Sequence, residues 1–452
     1  MQLINDILLF SLGIIVYIKK PQWVVFYWIS LEPVMLPFSS LITRCLNYEE
    51  FFELTNHIRE FGRNYLAVLI LIEVYKTRKF PQIKGIGLSL SLLMSYISLT
   101  TLFAHFSFSV LWGCLSEILS LLLMMFFLSF NKRAFPSFKV MSRFMIGIII
   151  LQFLWTLLNL GGIYIYLPFY IPYIDISATG SLNIVDISAE NLVSGTFARY
   201  NSLANFLTTI FLFISLEYYS GKIIFTKTYY LLSAVILGII VLTGAKISLV
   251  LFFLIFLTCC TYYIKEHFKI VFMSWGIVIL GLVFLSTYDT SSKSMSVFSG
   301  IDRQLNGLAS FVQSDTDDDH STVALSTYLL NNYFDRSPLL GSGLSYKGEF
   351  AYGNWGNCTL TLFRADARIA YMIVEYGIIG FLLYFTVFIS IFIHLSKKIA
   401  KEDGVKLLFC FVYYILLTIT EPGFFDRLCF PLLFVYVFCV LSPKHKSSDI
   451  IV

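Results

Sequence analysis

Long apolar runs separated by short polar segments make up most of this sequence. A run of roughly 17 to 25 apolar residues can cross the hydrocarbon core of a bilayer as a helix. The runs that could do so lie at approximately 3–18, 22–42, 61–76, 85–104, 110–130, 143–160, 196–219, 228–243, 246–264, 270–287, 366–394, 405–420 and 427–441. The pattern predicts thirteen spans, or twelve if the run at 3–18 is not one of them.

The apolar stretch from Tyr229 to Ile264 is too long to be a single span. Thr243 and Gly244 interrupt it, and glycine readily allows a sharp reversal of the backbone. We therefore expect two helices here, joined by a very tight turn.

The composition agrees with this pattern. The 452 residues are 58% hydrophobic and 13% charged, whereas soluble domains carry about 25% charged residues. We predict an all-α polytopic membrane protein in which residues 1–452 form a single integral membrane domain. The net charge of +4 does not indicate nucleic-acid binding, because the basic residues fall in short clusters between apolar runs.

The basic clusters also predict how the chain is oriented. Cytoplasmic loops of membrane proteins are enriched in Lys and Arg. Seven clusters occupy alternate loops, namely Lys19 and Lys20, 76–84, 132–143, Lys222 and Lys227, Lys265 and Lys269, 397–406, and Lys444 and Lys446. With these clusters in the cytoplasm, the amino terminus and the remaining loops lie outside.

Three outside segments and two charged residues within spans are candidates for function. The segment at 43–60 is short and mixed in charge, and Glu117 lies within a span. Residues 161–195 form the smaller loop, which has no Lys or Arg, and residues 288–366 form a large polar loop. Glu32, followed by Pro33, lies in the middle of the second span. Ionisable residues inside spans are functional by default, although hydrogen bonds from a neighbouring helix would also account for this one.

Five basic residues are predicted outside, at or near the membrane–water boundary. They are Arg199, Lys246, Arg336, Arg364 and Arg368. A guanidinium group can bind two oxygens of one phosphate, and the diphosphate of a lipid carrier lies at this same depth. Each residue alone would also be typical of an anchor that reaches for water or lipid phosphate. The set therefore indicates an anion site more strongly than any member does.

Four segments of the chain resemble, in the same order, four motifs of the O-antigen ligase/polymerase superfamily. Gly195-Thr196-Phe197, with Arg199, Asn201 and Ala204, is similar to the family's glycine-aromatic-asparagine helix start. Leu-Thr-Gly-Ala-Lys-Ile-Ser at 242–248 is similar to its L-T-x-S-R/K turn. Pro-Leu-Leu-Gly-Ser-Gly at 338–343 and Val-Glu-Tyr-Gly-Ile-Ile-Gly at 374–380 resemble its P-hydrophobic-hydrophobic-G-x-G segment and its E-x-G-hydrophobic-hydrophobic-G helix. The resemblance covers residues 195–441.

This resemblance implies an integral membrane glycosyltransferase with a GT-C-like fold and no metal or other cofactor. Members of the superfamily act on polyprenyl-diphosphate-linked glycans at the outer face of the inner membrane. For this chain the resemblance implies a multi-pass protein of a bacterial inner membrane whose active site faces the periplasm. The expected partners are an undecaprenyl-diphosphate-linked oligosaccharide and the lipid bilayer, with a chain-length regulator protein as a further candidate.

The residues before the fourth motif distinguish two kinds of family member. Ligases carry a histidine motif just before the E-x-G helix. Residues 363–368 of this chain contain no His, and none lies between His320 and His394. The sequence therefore favours a Wzy-type O-antigen polymerase, which acts in lipopolysaccharide or similar polysaccharide biosynthesis.

The expected reaction transfers a growing glycan from undecaprenyl diphosphate to the next lipid-linked repeat unit. Cations must stabilise the leaving diphosphate, and a base must accept the proton of the attacking hydroxyl. We expect the five outside cations to bind the diphosphate. Asp366 is the candidate base by its position, with Glu375 and His320 as alternatives.

Two other functions stay open at this point. A ligase would transfer the glycan to lipid A-core instead of to another repeat unit. A flippase or other transporter of lipid-linked glycans would be expected to show internal repeats and charges at the midplane. No repeat is evident in the sequence, and Glu32-Pro33 is the feature that favours a transporter.

Overall fold

The computed structural model of the chain describes residues 2–44, 48–78, 86–104, 108–161, 163, 170–176, 182–188, 193–197, 200–221, 226–263, 330, 337–341, 368–397, 399, 403–420, 428–437 and 441. In the longer of these segments the regular structure is helical, apart from one pair of β-strands. The α-helices are α1 Gln2–Lys19, α2 Val24–Ser30, α3 Leu36–Thr43, α4 Tyr48–Thr77, α5 Ile86–Ala104, α6 Phe108–Phe130, α7 Phe138–Leu160, α8 Tyr200–Tyr219, α9 Thr226–Thr243, α10 Lys246–Tyr263, α11 Arg368–Ser396, α12 Gly404–Thr420 and α13 Cys429–Val435.

Five helical segments of the described residues are long and apolar enough to cross a membrane. They are Gln2–Lys19, Pro21–Thr43, Phe138–Leu160, Tyr200–Tyr219 and Tyr376–Ser396. These segments fit a multi-pass helical membrane protein, as the sequence predicts. The other predicted spans also coincide with helices, except 270–287, which lies outside the described residues. The total of twelve or thirteen spans stays a prediction.

The second predicted span is not a regular α-helix. A 3₁₀ turn at Pro21–Trp23 leads into α2, and a π-helical turn at Leu31–Met35 separates α2 from α3. Pro33 lies in the π turn, and proline has no amide hydrogen to bond a carbonyl four residues earlier. The wider turn accommodates this gap in the hydrogen-bond ladder, and it brings Glu32 and Pro33 to the inside of the bundle, where both are buried.

The smaller loop at 161–195 contains a β-hairpin that the sequence analysis did not predict. Strand β1 (Tyr170–Ile176) pairs antiparallel with β2 (Leu182–Ser188), with Tyr170 opposite Ser188 and Ile176 opposite Leu182. β1 contains three isoleucines and β2 contains two, and branched side chains favour extended backbone. The described residues are therefore predominantly helical, as predicted, and this hairpin is an addition within the smaller loop.

The predicted turn between the two helices of the 229–264 stretch is confirmed. Gly244 has a φ of 72°, a left-handed conformation that glycine adopts at little cost. The amide of Ala245 donates a hydrogen bond to the Thr243 hydroxyl at 3.3 Å. α9 therefore ends at Thr243 and α10 begins at Lys246.

Helix α8 lies at the centre of the bundle. α9, α10, α12 and α13 all pack against it, and every residue from Leu203 to Glu217 is buried. Phe211 stacks on Phe252 of α10, with ring centroids 3.9 Å apart, and Phe213 stacks on Tyr436 at 4.3 Å. Aromatic stacking of this kind adds to the packing on both sides of α8.

A buried ion pair joins the last turn of α8 to the first turn of α12. Lys406 Nζ lies 2.6 Å from Glu217 Oε1, and the Tyr436 hydroxyl donates to the same oxygen at 2.7 Å. Asp403 Oδ1 is 3.6 Å from the lysine nitrogen. Charged side chains inside membrane proteins usually pair in this way, because desolvation of either charge alone is costly. We call this end of the bundle the Lys406 end.

At the opposite end of α8, the chain that leads into the helix contacts the carboxyl-terminal part of α7. The backbone amide of Gly195, five residues before α8, donates to the Asn159 side chain of α7 at 3.0 Å. We call this the Gly195 end. It is the end that the basic clusters predict to lie outside.

Candidate functional site

Helix α11 is broken at Gly377, within the fourth of the motif segments. Gly377 has φ 68° and ψ 180°, although helical backbone continues on both sides of it. Positive φ combined with such a ψ is accessible almost only to glycine. The sequence predicts one uninterrupted span at 366–394, so the break is a departure from that prediction. Because α11 ends at Ser396, close in sequence to Asp403 at the Lys406 end, Gly377 lies toward the Gly195 end.

The third motif segment fills this break. The backbone amide of Ile378 donates to the Pro338 carbonyl oxygen at 3.0 Å, and that of Ile379 donates to Leu339 at 3.2 Å. The first amides of a helix have no partner within it, so these two carbonyl groups cap the second half of α11. The turn itself closes through the Gly341 amide and the Ser337 carbonyl oxygen, 2.8 Å apart. We call Ser337–Gly341 the docked turn.

A tyrosine of α5 bridges the docked turn and α11. The Tyr96 hydroxyl lies 2.7 Å from the Tyr376 carbonyl oxygen and 3.2 Å from the Leu340 carbonyl oxygen. One hydroxyl hydrogen can serve either acceptor. Tyr96 therefore connects the end of the first half of α11 to the turn that caps the second half.

The docked turn approaches so closely that it requires a glycine at position 377. A Cβ atom there would lie 2.1 Å from the Leu339 carbonyl oxygen and 2.5 Å from the Gly341 amide nitrogen. Gly380 is also close to its neighbours, since a Cβ would lie 2.8 Å from Cε1 of Tyr96. Both glycines of this motif are thus explained by close packing.

The first motif segment is held by side chains of α7 and by the π turn. Gln152 contacts Thr196 twice: its amide nitrogen lies 2.6 Å from the Thr196 hydroxyl, and its carbonyl oxygen accepts from the Thr196 amide at 3.1 Å. The Thr196 hydroxyl also donates to the Pro33 carbonyl oxygen; the residue four positions after Pro33 is Pro37, which has no amide hydrogen to donate to it. Gly195 has a φ of 59°, and a Cβ there would lie 2.3 Å from Gln152 Oε1.

Next to Pro33, a buried carboxylate binds a guanidinium group. Arg59 of α4 donates to both oxygens of Glu32, with distances of 2.9 Å from Nε and 2.8 Å from Nη2. The Glu32 side chain is 8% exposed and that of Arg59 is 27% exposed. Glu32 is thus satisfied by a charged side chain of a neighbouring helix, and this pair lies one residue from the carbonyl group that holds the first motif.

The second motif segment contacts α8 one residue after the first motif segment ends. Ser248 of α10 donates to Asn205 Oδ1 of α8 at 2.6 Å, and both residues are buried. Ser248 lies two residues after Lys246, the first residue of α10. Asn205 lies near the start of α8, six residues after Arg199. The third and fourth motif segments therefore contact each other directly, and the second is hydrogen-bonded to α8 just after the first.

The structure describes only part of the predicted site. Lys246 is the first residue of α10, Arg368 the first of α11, and Glu375 lies two residues before the break; the backbone of these three is described, but not their side chains. The remaining candidates lie outside the described residues: Arg199, His320, Arg336, Arg364 and Asp366. Among described residues, no group of three or more His, Cys, Asp or Glu side chains could hold a metal ion.

Comparison of the chain with protein-family models and with curated proteins finds no match. The resemblance to the O-antigen ligase/polymerase superfamily therefore depends on the order of its four short motifs.

Two residues near these motifs were not predicted from the sequence. Tyr96 is one of many tyrosines in apolar runs, and nothing in its surroundings distinguishes it. Arg59 falls in the polar segment between the predicted spans at 22–42 and 61–76, whereas α4 begins at Tyr48 and includes it. The available signal was the mid-span Glu32, because a carboxylate in a span usually has a charged partner.

Proposed function

We propose that this protein is an integral membrane glycosyltransferase that polymerises lipid-linked glycan repeat units. The donor would be a growing glycan on undecaprenyl diphosphate, and the acceptor the next lipid-linked repeat unit of an O-antigen or similar polysaccharide. The reaction would take place at the periplasmic face of a bacterial inner membrane. A GT-C-like bundle of twelve or thirteen spans and a chain-length regulator as partner belong to the same proposal.

The observation that carries this proposal is the docking of the third motif segment onto the fourth. Segments far apart in the chain, which resemble two motifs of one glycosyltransferase superfamily, share two backbone hydrogen bonds at Gly377. Arg336 directly precedes the docked turn, and Glu375 is two residues before the break. Arg336, proposed for diphosphate binding, and Glu375, an alternative for proton transfer, therefore both lie within two residues of the segments that form this contact.

The chemistry assigns roles to these residues. A hydroxyl oxygen of the acceptor sugar forms a bond to the anomeric carbon of the donor, and the bond from that carbon to the diphosphate breaks. The hydroxyl proton passes to a base, for which Asp366 is the first candidate and Glu375 and His320 the alternatives. Negative charge develops on the leaving undecaprenyl diphosphate, and fixed cations aimed at that charge accelerate the step. Those cations would be Arg199, Lys246, Arg336, Arg364 and Arg368.

The orientation of the bundle supports the same location. The basic clusters lie in alternate loops, and in the cytoplasm they would leave the Gly195 end facing the periplasm. The docked turn, the Gly195 turn and the start of α10 all belong to that end. Lipid-linked substrates on the outer leaflet present their diphosphate at this level of the membrane.

The proposal is tested with purified protein in vesicles that contain a lipid-linked repeat unit. Replacement of Arg199 or Arg364 by Ala should slow chain elongation about a hundredfold, the size of effect typical for loss of one group that stabilises developing charge. Lys227→Ala is the matched control, because Lys227 is an exposed lysine at the Lys406 end. Normal glycan ladders from both arginine variants would contradict the proposal.

A transporter of lipid-linked glycans is the second candidate function. The observations that favour it are the two interrupted helices, at the π turn beside Glu32 and at Gly377, since discontinuous helices surround the sites of many transporters. In the same vesicles a transporter would move the lipid-linked unit between leaflets without lengthening its glycan. A ligase would instead require lipid A-core as acceptor.

A further inference from the structure

The contact between the docked turn and α11 has an alternative in which both amides still have partners. In an uninterrupted helix, the amides of Ile378 and Ile379 would donate to the carbonyl groups four residues earlier, those of Val374 and Glu375. In the structure they donate to Pro338 and Leu339 instead. Each of the two amides makes one hydrogen bond in either arrangement.

We propose that α11 is a two-state helix. In one state the turn is docked and the helix is broken at Gly377; in the other the turn is released and the helix is continuous. Only residue 377 must change region of φ and ψ, and glycine can occupy both the observed conformation and the helical one. Elements that have two discrete packed arrangements are the usual basis of conformational switches.

Tyr96 stabilises the docked state. Its hydroxyl contacts the Tyr376 carbonyl group, at the end of the first half of α11, and the Leu340 carbonyl group of the turn. In the continuous helix the Tyr376 carbonyl group would accept instead from Gly380, four residues later. Tyr96 thus makes contacts specific to the broken form.

The two states place the start of α11 differently. The segment from Arg368 to Tyr376 would change direction relative to the second half of the helix, because the non-helical Gly377 sets the angle between them. This segment carries Arg368 and Glu375. Resting on the proposed function, we infer that release of the turn moves these two residues between elongation cycles and admits the next lipid-linked repeat unit.

Crosslinking reports the docked state directly. A backbone hydrogen bond from Ile379 to Leu339 brings the two residues next to each other, and a disulfide joins residues whose Cα atoms are about 4.4–6.8 Å apart. Both side chains are exposed, Leu339 by 59% and Ile379 by 40%. The double variant Leu339→Cys/Ile379→Cys should therefore form a disulfide on mild oxidation in membranes. Maleimide labelling of the denatured chain, compared with each single-cysteine variant, detects it.

Substitution of the hinge glycine should shift the equilibrium toward the released state. Alanine cannot adopt the observed backbone at 377, and its Cβ would overlap the Leu339 carbonyl group, but it suits a continuous helix. Gly377→Ala in the double-cysteine protein should slow disulfide formation at least tenfold. Gly238→Ala, in α9, is the control, because a Cβ there meets nothing within 4 Å. Equal rates in the Gly377→Ala and Gly238→Ala proteins would overturn the proposal.

Tyr96→Phe provides a second test that does not depend on the folding of the glycine variant. It keeps the ring and removes only the hydroxyl, and it should slow disulfide formation several-fold. An unchanged rate would contradict the proposal that the Tyr96 hydroxyl stabilises the docked state. Failure of the double-cysteine protein itself to crosslink would contradict the docked state.

An activity measurement separates this inference from the proposed function. The oxidised double-cysteine protein is held in the docked state, so it should stop elongating glycans and resume after reduction. Full activity of the fully crosslinked protein would overturn the two-state proposal. If the wild-type protein elongates no glycan in this assay, the proposed function fails, while the crosslinking result still decides whether α11 switches.

Discussion

Arg59 binds both carboxylate oxygens of Glu32, with nitrogen–oxygen distances of 2.9 and 2.8 Å. Paired hydrogen bonds from a guanidinium group to a carboxylate are stronger and more directional than single neutral ones. The pair joins α4 to the π turn, and the π turn in turn binds Thr196 through the Pro33 carbonyl oxygen. One ion pair therefore fixes the part of the bundle against which the first motif segment packs.

Loss of the Arg59 charge should destabilise the fold. Arg59→Met keeps much of the side-chain length but leaves the buried Glu32 without its two charged hydrogen bonds, each of which contributes about 1.5–3 kcal/mol. We expect the free energy of unfolding in mixed micelles to fall by about 3 kcal/mol. Arg143→Met is the control, since Arg143 is an exposed arginine of α7. Equal losses for the two variants would show that the pair contributes little.

The buried pair of Glu217 and Lys406 should be the more sensitive of the two ion pairs. Their side chains are 0% and 3% exposed, so removal of the lysine charge leaves an uncompensated carboxylate in the core. Lys406→Met should lower the free energy of unfolding by about 3–5 kcal/mol. Added salt should not change the difference, because ions screen buried charges weakly.

The matched control for this prediction is Lys397→Met, which removes an exposed lysine just after α11. It should be within about 0.5 kcal/mol of the wild type, as is usual for surface positions. A Lys406→Met protein as stable as the Lys397→Met protein would contradict the importance of the buried pair.

The hydroxyl of Thr196 should contribute to stability beyond the volume of its side chain. Thr196→Val keeps the shape and leaves Pro33 and Gln152 each without one hydrogen-bond partner, which costs about 1–3 kcal/mol in a buried site. The Thr258 hydroxyl of α10 is exposed and bonds only a carbonyl group of its own helix. Thr258→Val should therefore leave the thermal midpoint nearly unchanged, and a similar drop in both variants would argue against a special role for Thr196.

The orientation of the bundle can be measured by cysteine labelling in sealed inner-membrane vesicles of known sidedness. Leu339 and Lys227 are both exposed and lie at opposite ends of the bundle. A membrane-impermeant thiol reagent should reach a cysteine at 339 from the periplasmic side and one at 227 from the cytoplasmic side. The reverse pattern would contradict the orientation predicted from the basic clusters.

The positions of the helices were largely predictable, because crossing a bilayer imposes a length and an apolar composition that can be read residue by residue. The turn between α9 and α10 was predictable for a similar reason, since a glycine divides a run too long for one span. The break at Gly377 was not. Apolar residues flank this glycine on both sides, and its conformation depends on carbonyl groups of Pro338 and Leu339 from a separate part of the chain.

The candidate site was predictable as a set of segments and not as a set of contacts. The order of the motifs predicts which segments contribute to the site. The hydrogen-bond partners of Gly195, Thr196 and Glu32 depend instead on how the helices pack, which the order does not reveal. The helical position of Arg59 could not be predicted, because the first turns of α4 are too polar to resemble a membrane span, although they belong to the same helix. The predicted cations and bases stay predictions, since their side chains are not among those described.

The central position of α8 has a consequence for how the protein is made. The lysine that neutralises Glu217 is synthesised 189 residues later, and Ser248, which bonds Asn205, also follows α8 in the chain. During translation α8 therefore carries a carboxylate and several hydroxyl and amide groups without their eventual partners. The buried hydrogen bonds of Glu217 and Asn205 can therefore form only after α12 and α10, respectively, have been synthesised.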